Sequence, residues 1–595
     1  MTIWDIYARI WAIDFEFMAG SGERPKPVCL VAKEIKSGFT IRLWLEDLAS
    51  THAPPYGLGG EDLILAYYAS AEMGCHLALE WFLPCAVLDL YAEFRVHTNG
   101  RDLACGNGLV GALTFFGIPA ISALEKEEMR ALVLRGGPYT ATERAAILDY
   151  CESDVLAVER LFRRMWREID LPRALLRGRY MKAAARMEWN GVPVDTLILE
   201  ELRRDWDAVR EHLIAEVDKD YGVFEGTTFK IDRFCSWVRE QGIYWPVTPT
   251  GRPALDDDTF SDQALLFPQV RNLRELRVSL AQLRLTDLAV GPDGRNRVVL
   301  SAFKAKTGRN QPSNSKFIFG PSVWLRFLIK PSDGYGLAYV DYSQQEFGIA
   351  AALSGDATMM SAYESGDPYL AFGKQAGAIP IDGTKESHRD LREQFKQCSL
   401  AVLYGMGEAT LAAKIRCAPS RARQLLLLHR TTYPQFWNWS DAAVTTALLD
   451  GRIATTFGWS VVKGSHPNVR ALRNFPMQGN GAEMLRLACV FATESGLEVC
   501  APVHDAILIC APVSVLTEAV DTAQACMARA SSIVLDGFEL RSDAKTVRYP
   551  DRYTDPRGES MWNTVQRVLR DLKQVPVVHG RDTDGATVPT RLISL

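Results

Sequence analysis

The chain has 595 residues, of which 47% are hydrophobic and 23% are charged, and its formal net charge is −5. This length accommodates roughly three to five domain-sized units, and the composition is typical of a soluble globular protein. A negative net charge is unexpected for a protein that binds nucleic acid, so such binding requires a local basic cleft beneath an acidic exterior.

The twelve cysteines are scattered and form no CxxC pair. They are therefore predicted to be reduced core residues of a cytosolic protein, which argues against a zinc site or a disulfide framework. No run of about 18 apolar residues predicts a membrane span. The N-terminus has the features of neither a secretory nor a transit segment.

The first candidate site begins in the strand IWAIDFEF at 10–17, which carries Asp14 and Glu16 two residues apart. Both carboxylates therefore point to one face of the sheet, where they need a cation unless they lie in water. Further on, the amphipathic helix at 147–162 places Tyr150 and Asp154 one turn apart. A surface strand with solvated carboxylates remains the alternative for Asp14 and Glu16.

After residue 169 the chain becomes basic and then helical. Five cations precede the segment MEWNGVPVD, and they indicate either a DNA contact or a solvated helix face: Arg173, Arg177, Arg179, Lys182 and Arg186. Residues 195–290 are mostly helical by their apolar spacing. Within them Arg271, Arg274 and Arg277 lie on adjacent turns, which predicts a grip on nucleic-acid phosphates.

The strand and helix at Leu337–Ala350 carry Asp341 where the strand ends, and Ala501–Cys510 places Asp505 at a predicted hairpin turn. Either residue alone is weak evidence, because an aspartate at such a position is usually a cap or turn residue. Brought together from about 160 residues apart, the two carboxylates would form a two-metal site for phosphoryl transfer.

Two groups of side chains between these aspartates recur every four residues. Arg392, Lys396, Leu400 and Tyr404 share one face of a helix that is predicted to end at Gly405. Cations at one end of this stripe suit a triphosphate, and the ring at the other end suits a base. A solvated basic edge above an apolar lower half is the alternative.

Further on, Arg470, Asn474 and Gln478 also step by four and offer donors for minor-groove base edges or sugars. Pro476 limits how regular their helix can be.

These motifs, in this order, resemble the family A DNA polymerases of the DNA polymerase I type. The matching segments are TGR at 307–309, DYSQQE at 341–346, RxxxKxxxLxxxYG at 392–405, YPQF at 433–436, NFPMQG at 474–479 and VHD at 503–505. The resemblance implies template-directed addition of dNTPs to a primer on primer–template DNA.

The resemblance also implies a role for each matching residue. Asp341, Asp505 and the Tyr342 carbonyl would hold two Mg²⁺ ions, with Mn²⁺ as a substitute. The implied nucleotide-binding residues are Gln344, Glu346, Arg392, Lys396, Leu400 and Tyr404, where Glu346 is the steric gate against a ribose 2′-hydroxyl and Lys396 also assists catalysis. The implied DNA-binding residues are Thr307, Arg309, Arg470, Asn474, Gln478 and His504.

The chain departs from the family pattern at four positions. Leu400 replaces the usual Phe or Tyr, which puts sugar discrimination there in doubt, and Ala506 replaces a supporting glutamate. Gly348 stands where Arg is common, and Tyr369 stands where His is usual. None of these changes removes an expected metal ligand.

The N-terminal motifs resemble the DEDDy group of 3′–5′ exonucleases. That resemblance implies metal binding by Asp14, Glu16, Glu72 and Asp154, with Tyr150 orienting the attacking water. Glu72 stands where aspartate is usual, and its extra methylene shifts the carboxylate, so a degenerate exonuclease is the alternative. Asp89 is expected to be a supporting acidic residue.

The predicted fold is a multidomain α/β (α+β) chain, in which an RNase H-like exonuclease domain precedes a right-hand polymerase. The exonuclease spans 1–170 and the connector and thumb span 171–290. The palm spans 291–355 and 461–595, and the fingers span 356–460.

Only some nine residues precede the first strand, so we expect no 5′ nuclease domain and a phage-like enzyme of DNA replication, with a repair role as the alternative. We expect it in the cytoplasm of a bacterium or of a phage-infected host, and no replisome or processivity partner can be identified. Two other classes stay open, a single-subunit RNA polymerase and a non-catalytic DNA-binding scaffold.

Overall fold

The computed structural model describes residues 2–119, 123–248, 250–282, 285–320, 322–464, 468–574, 577–581 and 587–591. The chain folds into two compact units. Unit 1 comprises Met1–Val192, Ala289–Pro312 and Gly334–Arg548, and unit 2 comprises Pro193–Leu288, Ser313–Asp333 and Tyr549–Leu595. Among the described residues, no helix is long and apolar enough to cross a bilayer.

The helices and strands follow in chain order. The first group is α1 (Ile3–Ile6), β1 (Arg9–Met18), β2 (Lys26–Glu34), β3 (Thr40–Trp44), α2 (Leu45–Ser50), β4 (Asp62–Ala66), α3 (Ser70–Ala78), β5 (Ala86–Asp89), α4 (Leu90–Thr98), α5 (Leu109–Phe115), α6 (Ala123–Arg135), α7 (Ala141–Met165), α8 (Leu171–Asn190) and β6 (Val192–Pro193). The second group is α9 (Thr196–Asp218), β7 (Phe224–Glu225), β8 (Thr228–Phe229), α10 (Ile231–Glu240), α11 (Asp257–Leu266), α12 (Arg271–Gln282) and β9 (Arg295–Asn296).

The third group holds the remaining elements: β10 (Tyr335–Tyr342), α13 (Gln345–Ser354), α14 (Ala357–Glu364), α15 (Pro368–Gln375), α16 (Arg389–Leu403), α17 (Glu408–Ile415), α18 (Pro419–Thr432), α19 (Pro434–Asp450), β11 (Arg452–Ala454), β12 (Ser460–Val462), α20 (Val469–Glu494), β13 (Glu498–Val503), β14 (Ala506–Pro512), α21 (Leu516–Val534), β15 (Ser542–Arg548), α22 (Glu559–Gln574), β16 (Val577–Arg581) and β17 (Thr587–Arg591).

The N-terminal sheet of unit 1 is mixed and has the order β3-β2-β1-β4-β5. β1 pairs antiparallel with β2 and parallel with β4, so β1 is a central strand. Helix α7 covers this sheet through buried apolar residues that recur at helical spacing, among them Ile147, Cys151 and Val158. A capping box in which Thr140 and Glu143 bond each other's backbone fixes where α7 begins.

The second sheet of unit 1 is antiparallel throughout and has the order β13-β14-β10-β15. Strand β14 is buried except at Pro512, and five of the eight residues of β10 are buried. Helices α20 and α21 pack on this part of the unit, and α20 is buried all round from Phe475 to Thr493. α20 is unbroken over 26 residues although Pro476 lies inside it. Buried packing therefore offsets the backbone hydrogen bond that Pro476 cannot make.

Helix α8, which begins the predicted connector, lies inside unit 1 and packs against β5, α3, α20 and β13. Three of its five basic residues bind neighbouring groups of unit 1, whereas Arg173 and Arg186 are exposed. Arg177 donates to both carboxylate oxygens of buried Glu93 at 2.6 and 2.8 Å, and Arg179 pairs with Glu494. Lys182 donates to the backbone carbonyl of Pro84 at 2.8 Å. These cations therefore fasten the helix to its neighbours.

Between Thr196 and Gln282, unit 2 is mostly helical, as predicted for this region, with the short strands β7 and β8, and it adds α22 from the C-terminal segment. Helix α22 packs on α9 within this unit. The predicted palm segment 461–595 therefore differs from the structure, which groups residues after Arg548 with unit 2. Part of the predicted C-terminal tail lies outside the described residues.

The expectation that Arg277 grips phosphates is wrong. Its guanidinium lies 4.5 Å from the Phe229 ring centroid and 4.4 Å from that of Phe260. It also donates to the carbonyl of Leu255 at 3.1 Å. Arg277 therefore holds the aromatic core of unit 2 together through cation–π contacts.

Candidate active sites

The first site lies where β10 ends. Asp341 is the penultimate residue of β10, and Asp505 lies in the turn between β13 and β14. The register pairs Asp341 with Ala506, and the Tyr342 N–H reaches the Asp505 carbonyl at 3.4 Å. Burial, followed by the nearby charge of Asp505, raises the pKa of Asp341 to about 7. The structure thus brings together the two aspartates that the sequence identifies.

The chemistry of this carboxylate pair suits a divalent cation. Oδ1 of Asp341 is buried and has no hydrogen-bond partner among the described residues. Burial, followed by the charge of Glu346, raises the pKa of Asp505 as well. Neighbouring carboxylates that are removed from water and lack a cation resist ionisation, and hard divalent ions prefer such oxygen ligands. The residues present therefore fit a metal site.

A hydrogen bond between Glu346 and Tyr404 links the carboxylate site to the C-terminal end of helix α16. The Tyr404 hydroxyl donates to Glu346 Oε1 at 2.9 Å. Burial, followed by the charge of Glu346, raises the pKa of Tyr404 to about 12. Gln344 immediately precedes α13 in a left-handed conformation with φ of 49°, and its Oε1 is buried without a partner among the described residues. A polar nucleotide group could satisfy that oxygen.

The predicted stripe lies on α16. The helix ends at Leu403, and Gly405 follows with φ of +65°, which agrees with the predicted helix end. Arg392 Nε donates to Asp367 at 2.5 Å, while Lys396 lies 3.9 Å from Glu393.

Asp367 also caps α15 by accepting from the Leu370 N–H at 3.1 Å. Arg392 therefore has an acidic partner that a phosphate could replace, and Lys396 is only loosely paired. Leu400 is half-buried on the same helix.

Thr307 and Arg309 lie in a loop with a fixed backbone. Trp459 Nε1 donates to the Lys306 carbonyl at 2.9 Å, and Arg486 Nη1 donates to the Gly308 carbonyl at 2.6 Å. Gly308 has φ of +79°, and a Cβ there would lie 3.1 Å from Trp459. The Arg309 charge lowers the pKa of both Tyr404 and Asp505, so the loop brings this cation to the carboxylate site.

The remaining predicted DNA-binding residues lie on α20 and in the β13–β14 turn. Gln478 is buried, Asn474 is half-buried and Arg470 is exposed along successive turns of α20. Gln478 reaches Tyr404, whose pKa it lowers by hydrogen bonding. His504 is exposed in the turn with φ of 57°.

The second site lies on the N-terminal sheet. The carboxylate oxygens of Asp14 and Glu16 on β1 and Asp154 on α7 lie within 4.8 Å of one another. Burial, followed by the charge of Asp154, raises the pKa of Asp14 to about 8. Burial and the charge of Asp14 raise the pKa of Glu16 to about 10. The close approach of these three carboxylates between β1 and α7 argues against a strand whose carboxylates lie in water.

Glu72 and Tyr150 complete the predicted set. Glu72 is buried on α3, and burial followed by the charge of Asp14 raises its pKa well above the usual range. Its Oε2 has no partner among the described residues. Burial and the charge of Asp154 raise the pKa of Tyr150. Glu72 therefore faces Asp14 but lies outside the 4.8 Å group.

Asp89 is a structural residue here and is not a ligand candidate. It is 1% exposed and caps α4, accepting from the N–H groups of Tyr91 and Ala92. It also accepts from the N–H groups of Tyr68 and Ala69. Four backbone donors thus occupy this carboxylate.

Two charged residues at these sites were missed by sequence reasoning. Lys126 on α6 donates to Asp154 Oδ2 at 2.6 Å and lies 5.7 Å from the Tyr150 ring centroid. Asp543 on β15 pairs in register with Asp341. Lys126 stands among glutamates in LEKEEM, a pattern typical of a solvated helix, so the sequence offered no signal for it. Asp543, the acidic residue of the segment RSDAK, could have been considered as a replacement for the glutamate that is absent at position 506.

Residues 320–546 match the model of DNA polymerase family A. This match makes residues 320–546, less than half of the 595-residue chain, similar to DNA polymerase family A. It is similar to DNA polymerase I of Mycobacterium bovis, with 25% identity over 349 residues that cover 54% of this chain and 37% of that protein. It is also similar to the thermostable DNA polymerase I of Thermus aquaticus, with 24% identity over 418 residues, covering 63% and 48%.

Among solved structures, the chain is similar to the polymerase domain of Pol1 from M. smegmatis in complex with DNA primer-template and dNTP. The TM-score is 0.69 at 19% identity, and the match covers 91% of this chain and 96% of that one. Similarity at this identity establishes the fold. The chain spans 37% of the mycobacterial relative and 48% of the Thermus relative. Polymerases of family A use divalent metal ions.

Proposed function

We propose that this chain is a template-directed DNA polymerase that adds dNTPs to a primer 3′ end and that trims 3′ ends at its N-terminal site. The observation that carries the proposal is the convergence of Asp341 and Asp505 at the end of β10, where Asp341 Oδ1 lacks a partner among the described residues. The similarity of residues 320–546 to DNA polymerase family A supports the reaction class, and the side chains around the aspartates suit a nucleotide and a duplex.

In this proposal Asp341, Asp505 and the Tyr342 carbonyl hold two Mg²⁺ ions, which Mn²⁺ can replace. When bound, these ions supply an activated 3′-hydroxyl and stabilise the leaving phosphate. Burial and the charge of Asp505 raise the pKa of Asp341, and both effects favour the binding of a cation by this pair.

The fingers residues bind the incoming nucleotide. Arg392 exchanges Asp367 for a triphosphate oxygen, and Lys396 contributes a second cation one turn away. Glu346, fixed by Tyr404, limits the space beside the sugar, and Gln344 and Leu400 line the same pocket.

Primer–template DNA is contacted by the groups on the fixed loop, on α20 and in the β13–β14 turn. The residues proposed for these contacts are Thr307, Arg309, Arg470, Asn474, Gln478 and His504. The cation of Arg309 and the nearby donors give the local basic character that the net charge of −5 does not.

At the N-terminal site Asp14, Glu16, Glu72 and Asp154 hold the cations for trimming, and Tyr150 orients the attacking water. One observation favours the second candidate, a degenerate exonuclease. Glu72 lies outside the 4.8 Å group of carboxylates, and its side chain is longer than the usual aspartate. Trimming assays decide between the two. Replication is the proposed role, and the cytoplasmic location stays a prediction.

The first experiment separates the two sites. Asp341→Ala and Asp505→Ala should each lower primer extension by roughly a thousandfold or more, because each removes a metal ligand. Trimming of a single-stranded 3′ end should continue in both variants. Asp521→Ala, which removes an exposed carboxylate on α21, is the matched control and should extend normally. Extension that survives Asp341→Ala would contradict the polymerase assignment.

The second experiment removes a metal ligand from the N-terminal site and leaves the Asp341 site intact. Asp14→Ala should abolish trimming and spare extension, and unchanged trimming would show that the N-terminal assignment is wrong. Extension by dNTPs in preference to rNTPs separates this proposal from a single-subunit RNA polymerase. Glu346→Ala should then admit ribonucleotides, because it enlarges the sugar pocket.

A further inference from the structure

The sheet that carries Asp341 places one residue on each side of it at the same level. β10 lies between β14 and β15, and the register pairs Asp341 with Ala506 on one side and with Asp543 on the other. Directly paired residues of neighbouring strands point to the same face of a sheet, with Cβ atoms about 4.5–5.5 Å apart. The side chains of all three residues therefore share the face on which Asp341 acts.

The residue beside Asp341 on β14 carries only a methyl group, because position 506 holds alanine where the resemblance to family A polymerases leads one to expect glutamate. The acidic residue on β15 is Asp543. This chain thus has a carboxylate beside Asp341, on the opposite neighbouring strand from the one expected.

Asp543 is held in place and acts on Asp341. Ser343 Oγ donates to Asp543 Oδ2 at 2.5 Å, and Ser343 follows β10 directly in the same motif as Asp341. The charge of Asp543 contributes to the raised pKa of Asp341, after burial and Asp505. An exposed aspartate on an edge strand often serves only to prevent pairing with a further strand. That role would not require the hydrogen bond by which the Ser343 hydroxyl orients Asp543.

Arg541, one of the two cations that lie two residues from Asp543 along the chain, contacts Tyr363. Its guanidinium lies 4.7 Å from the Tyr363 ring centroid and donates to the Tyr363 carbonyl at 2.8 Å. The Arg541 guanidinium is thus directed to Tyr363 and not to Asp543.

We propose that Asp543 is a positioning residue that replaces the missing glutamate and supports divalent-ion binding by Asp341 and Asp505 from the opposite strand. This inference rests on the proposed polymerase function. Among the described residues, the Asp543 carboxylate does not join Asp341 and Asp505 in a group of acidic oxygens within 4.8 Å of one another. Asp543 therefore acts as an outer anion that strengthens the field on the ion and restrains Asp341.

The test measures divalent-ion binding directly. All proteins carry Asp14→Ala to silence the N-terminal site, and each is bound to a primer–template with a dideoxy-terminated primer and the next dNTP. Mn²⁺ is titrated and followed by electron paramagnetic resonance. Asp543→Asn keeps an acceptor for Ser343 but removes the charge, and it should weaken Mn²⁺ binding about tenfold. Asp521→Asn, the same change on exposed α21, should leave binding unchanged.

A second variant asks whether the two flanking positions are equivalent. Ala506→Glu added to Asp543→Asn should recover most of the lost Mn²⁺ affinity, and it is read where the melting temperature matches that of Asp543→Asn. Unchanged Mn²⁺ affinity in Asp543→Asn overturns the inference, and so does a folded double variant without recovery. Failure of the polymerase proposal is a separate result, since the unmodified chain would then not extend a primer.

Discussion

Lys126 forms an ion pair at the N-terminal carboxylate site. Lys126 bonds Asp154 directly, and its charge lowers the pKa of Asp14 and Glu16 against the much larger effect of burial. A cation at this place compensates like charges that would otherwise repel one another. If the proposed divalent ion binds these oxygens, Lys126 and the ion compete for Asp154.

Lys126→Met should therefore tighten divalent-ion binding at the N-terminal site by up to roughly tenfold, while lowering the stability of the metal-free protein. Mn²⁺ titration in an Asp341→Ala background measures the affinity, and trimming at low Mn²⁺ should rise with it. Lys33→Met is the matched control, because it breaks the Lys33–Glu159 pair at 2.8 Å without touching the site. Weaker or unchanged binding in Lys126→Met would show that the lysine assists the ion and does not compete with it.

At the scale of elements, α8 determines how the N-terminal sheet is covered. A Cβ added at Gly178 would lie 1.9 Å from the Val87 carbonyl oxygen of β5. The helix therefore touches the strand backbone, and only glycine permits this approach. This contact explains why α8 belongs to unit 1 although its basic composition predicts a connector.

Gly178→Ala should destabilise unit 1 by about 1–3 kcal/mol, because helix and strand must separate. Alanine normally stabilises a helix interior relative to glycine by up to about 1 kcal/mol, so the sign of the change is the test. Gly74→Ala in α3 is the control. A Cβ there meets Pro25 at an ordinary 3.5 Å, and this variant should melt at or above the temperature of the parent. A stable Gly178→Ala would contradict the close packing.

Helix α8 also carries a titrating group. Burial raises the pKa of Glu188 to about 7, although its Oε1 accepts from the Leu300 N–H at 2.7 Å. A carboxyl with a raised folded-state pKa stabilises the protein fully below its unfolded pKa, and this contribution is lost as pH rises through 7. Between pH 5.5 and pH 8 the loss amounts to about 2 kcal/mol.

Glu188→Gln keeps the acceptor and removes the titration, so its unfolding free energy should fall less than that of the parent over this interval. Urea unfolding at both pH values measures the difference. Equal losses in parent and variant would show that Glu188 does not titrate in this range.

At the scale of the whole molecule, the sequence predicted residues better than boundaries. The motifs sufficed to identify Asp341 and Asp505 as residues that come together, because each lies at the end of an apolar strand of one sheet. The sequence did not predict the contacts of Lys126 and Asp543, because these contacts depend on strand register and on packing between distant segments. The grouping of residues after Arg548 with unit 2 likewise depends on the packing of α22 against α9.

Two fragments test where the N-terminal domain ends. Fragment 1–170 ends at the predicted boundary, and fragment 1–192 ends where the first segment of unit 1 ends. Residues 1–170 lack α8, so Glu93 loses Arg177 and remains buried without its partner. Breaking such a pair costs roughly 3–5 kcal/mol, which lowers the melting temperature by about 10 °C for a protein of this size. The fragment 1–192 keeps the pair and the cover over β5.

Fragment 1–192 should therefore melt higher and bind less of a hydrophobic dye than fragment 1–170, and circular dichroism with dye fluorescence measures both. Arg177→Met in fragment 1–192 is the matched control. It keeps the helix but leaves Glu93 without its partner, so it should melt between the two fragments. If 1–170 melts as high as 1–192, α8 adds nothing to the N-terminal sheet. The 1–170 boundary would then be the physical one.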